Sequence, residues 1–302
     1  MNIATQASKN VPGAKAAPEP PDPLYLKIRD LVYKASGIFQ LEEKLYLLVD
    51  GCARRIKLLG LDSARAYWEF LTAPANRELE LRQLLNELTI GETCLFRSAP
   101  QLDALRKIIL PGLVAEKAKL VTKRLRVWSA GCSTGEEPYT LAINFMEESE
   151  NLLKGWQIEI VATDLNDRSV EATKAGVYGD YALRNTSDYF KRKYFLAADE
   201  KRLRVRDEVK KLVTVSRLNL QDDSKMLFMK GMDVIFCCNV LIYFDAASKK
   251  RVIEHYYSNL NFGGHFFLGT SESLMGLNDQ FHLVHFPGAI GYWKPSLKSG
   301  KL

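Results

Sequence analysis

Two adjacent carboxylates, Glu136 and Glu137, open a helical pattern straight after a glycine turn in RVWSAGCSTGEEPYTLAIN, residues 126–144. Arg126 to Ala130 reads as a buried strand, Gly131 to Gly135 as a tight turn, and Glu136 onward as a helix. A phosphate site at such a helix start wants bare amides and often a Lys. Here the helix start is acidic. One acid there is favourable by about 0.3–1 kcal/mol through the helix dipole and needs no ligand. The second implies a cation or a sugar hydroxyl as its partner. Gly131, Ser133 and Gly135 fall at alternate positions, as in the G-x-G-x-G turn of nucleoside-binding sheets, where glycine allows close approach of a ligand to the backbone. A tight β–α turn needs glycine in any case.

Further polar residues close the following strands. Asp164 ends VATDLN, where an acid accepts hydrogen bonds from both ribose hydroxyls, although it lies further from the glycine turn than the ~20 residues of dinucleotide folds. Asp also starts helices. Asn239 interrupts the apolar CCNVLIYF; left without partners when buried it would cost about 1–3 kcal/mol. Glycine turn, acids and Asn all fall at carboxyl ends of strands, where open α/β sheets bind ligands. The set fits S-adenosylmethionine, an adenosine with a cationic sulfonium, better than NAD or ATP, whose phosphates the acid pair would repel.

The elements that must position these residues follow from periodicity. Residues 23–90 form an all-helical N-terminal domain punctuated by Gly37, Gly51 and Gly60. Residues 91–120 are a linker and a helix, with Ser98 and Gln101 in capping-box spacing, Pro100 in the first turn and an end near Lys119. Residues 121–296 alternate strand and helix, the signature of an α/β, Rossmann-like doubly wound sheet. Within it 194–215 reads as a small β insertion, and FHLVHFPGAIGYWK as a terminal hairpin. Residues 1–22 read as a disordered tail without a signal peptide.

Composition excludes several classes. The chain has 302 residues with 42 Lys and Arg against 36 Asp and Glu, a net +6 with no basic run, so nucleic acid is not indicated. Its five Cys include no C-x-x-C pair, which fits a reducing, cytoplasmic setting without disulfides or zinc. The longest apolar run, 234–244, is too short for membrane insertion. His282 and His285 have a metal-ligand spacing only on a helix, and their segment reads as strand, so no metal is expected. Cys237 and Cys238 read as packing residues.

LTIGETCLFR, WSAGCSTGEEPYTLA, ATDLN and NVLIYFD, in that order, resemble the motifs of the CheR family of chemotaxis-receptor glutamate methyltransferases, over about residues 24–293. The resemblance implies roles. Thr93 and Arg97 contact S-adenosylmethionine from the linker. Glu137 and Asp164 hold its amino and ribose groups, Asn219 and Leu220 flank the adenine, and Asn239 meets the methionine end. Arg97 and Tyr243 face methyl transfer to a receptor Glu, which yields a methyl ester and S-adenosylhomocysteine for sensory adaptation. The basic cluster Arg54, Arg55 and Lys57 docks the acidic chemoreceptor helical bundle, and the enzyme is a monomer. Two positions depart: Gly91 stands where the family often has Asn, and Cys238 where Arg often precedes Asn239. The insertion loop AADEKR is short and lacks glycine, resembling members that need no receptor tether peptide. The residues themselves leave two other readings open: a methyltransferase of another carboxylate, and a non-catalytic cofactor- or product-binding module docked on a receptor array.

Overall fold

The computed structural model describes residues 22–39, 42–89, 91–120 and 122–295. The expected tail therefore lies outside the described residues except for Asp22. That residue is the first helix cap: its carboxylate accepts from the Leu24 N–H at 2.9 Å, with Pro23 in the first turn. Four helices follow, α1 (Pro23–Ser36), α2 (Leu45–Leu59), α3 (Ala64–Thr72) and α4 (Arg77–Leu88). Gly37 and Gly60 end α1 and α2 in the left-handed conformation that glycine adopts without penalty. Gly51 does not punctuate. It lies inside α2, where an added Cβ would come within 2.8 Å of Leu88, so its smallness lets α4 pack close. Ile28, Val32, Leu48, Tyr67, Leu71 and Leu84 fill the centre of this bundle, and Leu165, Tyr243 and Phe244 from the sheet domain pack against it.

The linker helix is split. α5 (Ala99–Ala104) passes through a wide turn at Leu105–Ile109 into α6 (Leu110–Lys117). Pro111, which has no N–H for the ladder, sits just beyond the widened turn. Ser98 makes no side-chain cap. Gln101, expected to complete a capping box, instead donates from its amide to the Leu268 carbonyl at 2.7 Å, tying the linker to the sheet.

The sheet domain contributes ten strands: β1 (Arg124–Ala130), β2 (Gln157–Asp164), β3 (Val177–Gly179), β4 (Phe195–Ala197), β5 (Arg202–Val205), β6 (Val213–Arg217), β7 (Met232–Cys237), β8 (Leu260–Leu268), β9 (His282–Phe286) and β10 (Ala289–Trp293). Seven of them form one sheet in the order β6-β2-β1-β7-β8-β10-β9, parallel through β8 and antiparallel in the final hairpin. Helices α7 (Glu136–Glu147), α8 (Asp167–Ala175), α9 (Asp188–Tyr194), α10 (Asp207–Lys210), α11 (Asp223–Met226) and α12 (Ala246–Asn259) complete the domain. The two-residue period of a strand divides β7 between two cores. Val234 and Phe236 join the cluster on the α7 side, while Ile235 and Cys237 join the one on the α12 side.

The small β insertion is displaced from its expected bounds. Its sheet has the order β3-β5-β4 and spans 177–205, whereas 213–215, expected inside it, belong to the edge strand β6 of the main sheet. Thr214 and Ser216 at the solvent-facing positions of β6, after the charged turn that ends in Lys210 and Lys211, masked its place beside β2. In the insertion's hairpin, Asp199 turns the chain without glycine by accepting from the Lys201 and Arg202 N–H groups.

Candidate active site

Strand order reverses between β1 and β7, and a cavity of about 400 Å³ opens over their carboxyl ends, in the range of a small-ligand site. Its floor is the turn after β1. Gly131 there has φ 74°, and a Cβ would meet Val240 at 2.4 Å, so glycine permits the two strand ends to converge. Ser133 is left-handed without being glycine, with φ 50°. Its N–H donates to Asp164 Oδ2 at 2.8 Å, and the Asn166 N–H donates to Oδ1 at 2.8 Å. Asp164 is thus fixed by two backbone donors at the cavity wall. Burial nonetheless raises its pKa, and the bonds from Asn166 and Ser133 oppose that rise.

The two acids of the helix start separate in space. Glu136 is buried outside the cavity lining, accepting from the Thr134 hydroxyl at 2.7 Å, and burial raises its pKa. Glu137 reaches the cavity and accepts from Ser129 Oγ at 2.7 Å. Burial pushes its pKa up to about 7. Ser129, the Cys238 thiol and the Arg97 charge oppose the rise, and Glu272 adds to it. Arg97 is the only Lys or Arg among the described lining residues, and its guanidinium donates to the Glu92 carbonyl at 2.7 Å. Glu92, Glu137 and Asp164 line the cavity against the single guanidinium of Arg97, a balance that favours a cationic ligand and disfavours a phosphate.

Thr93, Asn219, Leu220, Asn239 and Tyr243 also line this cavity. Asn219 reaches back to the helical domain, donating to the Ala35 carbonyl at 2.7 Å. Burial raises the Tyr243 phenol pKa, as do the charges of Asp164 and Glu272.

Residues 24–89 match the family model of the CheR methyltransferase all-alpha domain, and residues 91–290 that of the CheR methyltransferase SAM binding domain. The chain belongs to the CheR methyltransferase family. It is similar to chemotaxis protein methyltransferase 2 of Vibrio cholerae, 33% identical over 271 residues that cover 90% of this chain and 92% of that one. It is 36% identical to the chemotaxis protein methyltransferase of Vibrio parahaemolyticus, covering 84% and 90% of the two chains. Against chemotaxis protein methyltransferase 1 of Pseudomonas aeruginosa the identity is 34%, covering 87% and 94%. As a CheR methyltransferase, the chain is S-adenosylmethionine-dependent.

The cavity fits that nucleoside. Ser133 Oγ is buried at the glycine turn without a hydrogen-bond partner, and the carboxylates of Glu137, in the first turn of α7, and Asp164, at the end of β2, line the same space. The family's departures acquire physical meaning here. A Cβ on Gly91 would stand 2.0 Å from Ser133 Oγ, so the close approach of linker to turn admits no side chain at 91 unless Ser133 moves. Cys238 presents a neutral thiol near Gln101 Oε1 at 3.8 Å, its pKa raised by burial.

Two expectations for this CheR methyltransferase are corrected. Gly135 does not line the cavity. It caps α7 at φ 97°, and a Cβ would run into Thr173 at 2.6 Å and the Tyr178 hydroxyl at 2.8 Å, so its role is backbone geometry and packing. Arg55 cannot dock a partner. It is buried in the helical bundle, paired through two nitrogens with Glu80 at 2.9 and 2.7 Å, and the Tyr67 hydroxyl donates to the same carboxylate. An i to i+1 step on a helix turns the side chain by about 100°, which carries Arg55 inward while Arg54 and Lys57 stay exposed. Arg54 is engaged by Glu87, which also binds Arg168.

One acid beside the site escaped the sequence reading. Glu272, in GTSES after β8, holds the Asn239 turn through backbone N–H groups. The rule that singled out Asp164, an acid just past a strand's carboxyl end, applies to it equally. Among the described residues, no three His, Cys, Asp or Glu side chains group as a metal site, and no helix is long and apolar enough to cross a membrane. All five cysteines are free thiols.

Proposed function

We propose that this methyltransferase esterifies glutamate side chains on the cytoplasmic helices of chemoreceptors. The observation that carries the reading is the cavity at the strand ends, in which Glu137 and Asp164 lie within and Arg97 stands at the exposed rim. The relatives' names, chemotaxis protein methyltransferases, point to the receptor as substrate.

S-adenosylmethionine supplies a methyl group on a sulfonium that is a good leaving group. Glu137 meets the ammonium of its methionine end, together with Asn239. Asp164 accepts from the ribose hydroxyls, and Thr93, Asn219 and Leu220 enclose the nucleoside. The incoming carboxylate is already an anion at pH 7, so neither a general base nor a metal is required. Its oxygen forms the new C–O bond as the S–C bond breaks, the electron pair stays on sulfur, and no proton moves. Catalysis is then positioning for in-line attack and exclusion of water. Arg97, tethered by the Glu92 carbonyl, orients the carboxylate through paired N–H bonds, and Tyr243 supports it. Each ester removes one negative charge from the receptor and relieves repulsion between packed helices. The helical domain serves as the docking unit, with Lys57 and Arg54 on its exposed face.

Tritiated S-adenosylmethionine and receptor-containing membranes test this reading. The expected result is label on a receptor-sized band that base releases as methanol. Arg97→Ala should lower that turnover about 100-fold or more while S-adenosylhomocysteine affinity falls less than about tenfold. Cofactor binding without transfer to any receptor would overturn the substrate; unchanged turnover in the variant would overturn the role of Arg97.

A further inference from the structure

The turn after β7 carries both Asn239 and Tyr243, and it is an unusual piece of backbone. Asn239 is one of three non-glycine described residues with positive φ, at 61°. A left-handed Asn is strained unless its surroundings hold it there. What holds it is one carboxylate. Glu272 Oε2 accepts from the Asn239 N–H at 2.7 Å and from the Gly269 N–H at 2.8 Å, and Oε1 accepts from the Ile242 N–H at 3.3 Å. Gly269 follows β8 directly, so this side chain bridges two neighbouring strand ends. The space is tight: a Cβ on Gly269 would fall 2.6 Å from Asn239 Oδ1 and 2.8 Å from Glu272 Oε2.

We propose that Glu272 is a positioning residue for methyl transfer, acting through the Asn239–Tyr243 turn. It pins the first and fourth residues of that turn by their N–H groups, and Tyr243 is the next residue along. The short helix Leu241–Tyr243 therefore starts from a backbone fixed at both ends. The opposite side of the turn is fixed independently, because the Phe39 N–H donates to the Tyr243 carbonyl at 2.9 Å. With both anchors in place, the backbone that carries the phenol is held from both sides. Removing the Glu272 charge frees the turn to relax from its left-handed start, and the phenol moves with it. The inference rests on the reading of Tyr243 as a residue facing the transferred methyl.

A double-mutant cycle tests it in the full chain. Turnover at saturating S-adenosylmethionine and receptor is measured for wild type, Glu272→Gln, Tyr243→Phe and the double variant, with S-adenosylhomocysteine affinity and melting temperature for each. Glu272→Gln keeps the shape and loses the second acceptor and the charge. It should lower kcat about 10- to 30-fold in the wild-type background and less than about threefold in the Tyr243→Phe background. Equal losses in the two backgrounds would overturn the proposal, since a purely structural role is additive, and so would wild-type turnover in Glu272→Gln. Absence of transfer by the wild type would instead refute the enzymatic reading itself, and wild-type turnover in Tyr243→Phe would refute the role of the phenol. If Glu272→Gln melts below the assay temperature, Glu272→Asp, which keeps both acceptors, takes its place in the cycle under the same criteria.

Discussion

Replacing Glu137 by glutamine separates what this carboxylate does for the cofactor from what it costs the fold. In the free protein, burial pushes its pKa from the usual 4.5 up to about 7. The folded state therefore holds the proton more tightly than the unfolded chain. Below about 4.5 the group is neutral in both states and costs nothing. As pH rises through the window between 4.5 and 7 the cost grows, and above 7 it is complete. At about 1.4 kcal/mol per pH unit the full cost is about 3 kcal/mol. Glutamine keeps the shape and can still accept from Ser129, but carries no charge. Glu137→Gln should thus be about 2–3 kcal/mol more stable than wild type at pH 8 and equal to it near pH 4.5, by urea unfolding. Binding should show the opposite sign. The ligand ammonium wants the ionised acid, so wild-type affinity for S-adenosylhomocysteine should fall toward tenfold per unit as pH drops from 7 to 5.5. The variant should bind about 10- to 100-fold more weakly at pH 7.5, with a flat profile. The groups facing Glu137 are Ser129, Cys238, Arg97 and Glu272. Over this window the ligand amine is protonated. Isothermal titration calorimetry across pH reads the binding arm. A flat wild-type profile, or equal stability of the two proteins at pH 8, would refute the argument.

Other outcomes follow from the same geometry. Gly135→Ala should lower stability by about 1–3 kcal/mol in thermal melts, because φ is positive and Thr173 stands in the way, while cofactor affinity in the folded protein stays within about twofold. Arg55→Ala should cost about 3–5 kcal/mol by leaving the Glu80 carboxylate buried with only the Tyr67 hydroxyl; a loss of receptor binding without a loss of stability would contradict its burial. Lys57→Glu should leave the melting temperature unchanged and weaken receptor binding several-fold, more so at low salt.

Much of the site was legible because it depends on local order along the chain. The acid after β2, the Asn after β7 and the glycine turn after β1 each follow a strand, and the strands announce themselves by apolar runs. Parallel topology then gathers their ends. The failures have a different origin. β6 was hidden because an edge strand with one solvated face carries Thr and Ser outward like a loop. Gly51 looked like a breaker because its function, contact with Leu88, lies on another helix. The Ser98 capping box had the right letters, but Gln101 found a better acceptor on Leu268.

The sequence by itself determined the alternation of strand and helix, through periodicity, and the family, through the resemblance of its motifs. Tertiary structure alone decided which of Arg54 and Arg55 stays in water. It alone brought Glu272 onto the Asn239 turn, 33 residues away. Adjacent residues on a helix point about 100° apart, and only the packing of neighbouring elements says which direction is solvent, core or site.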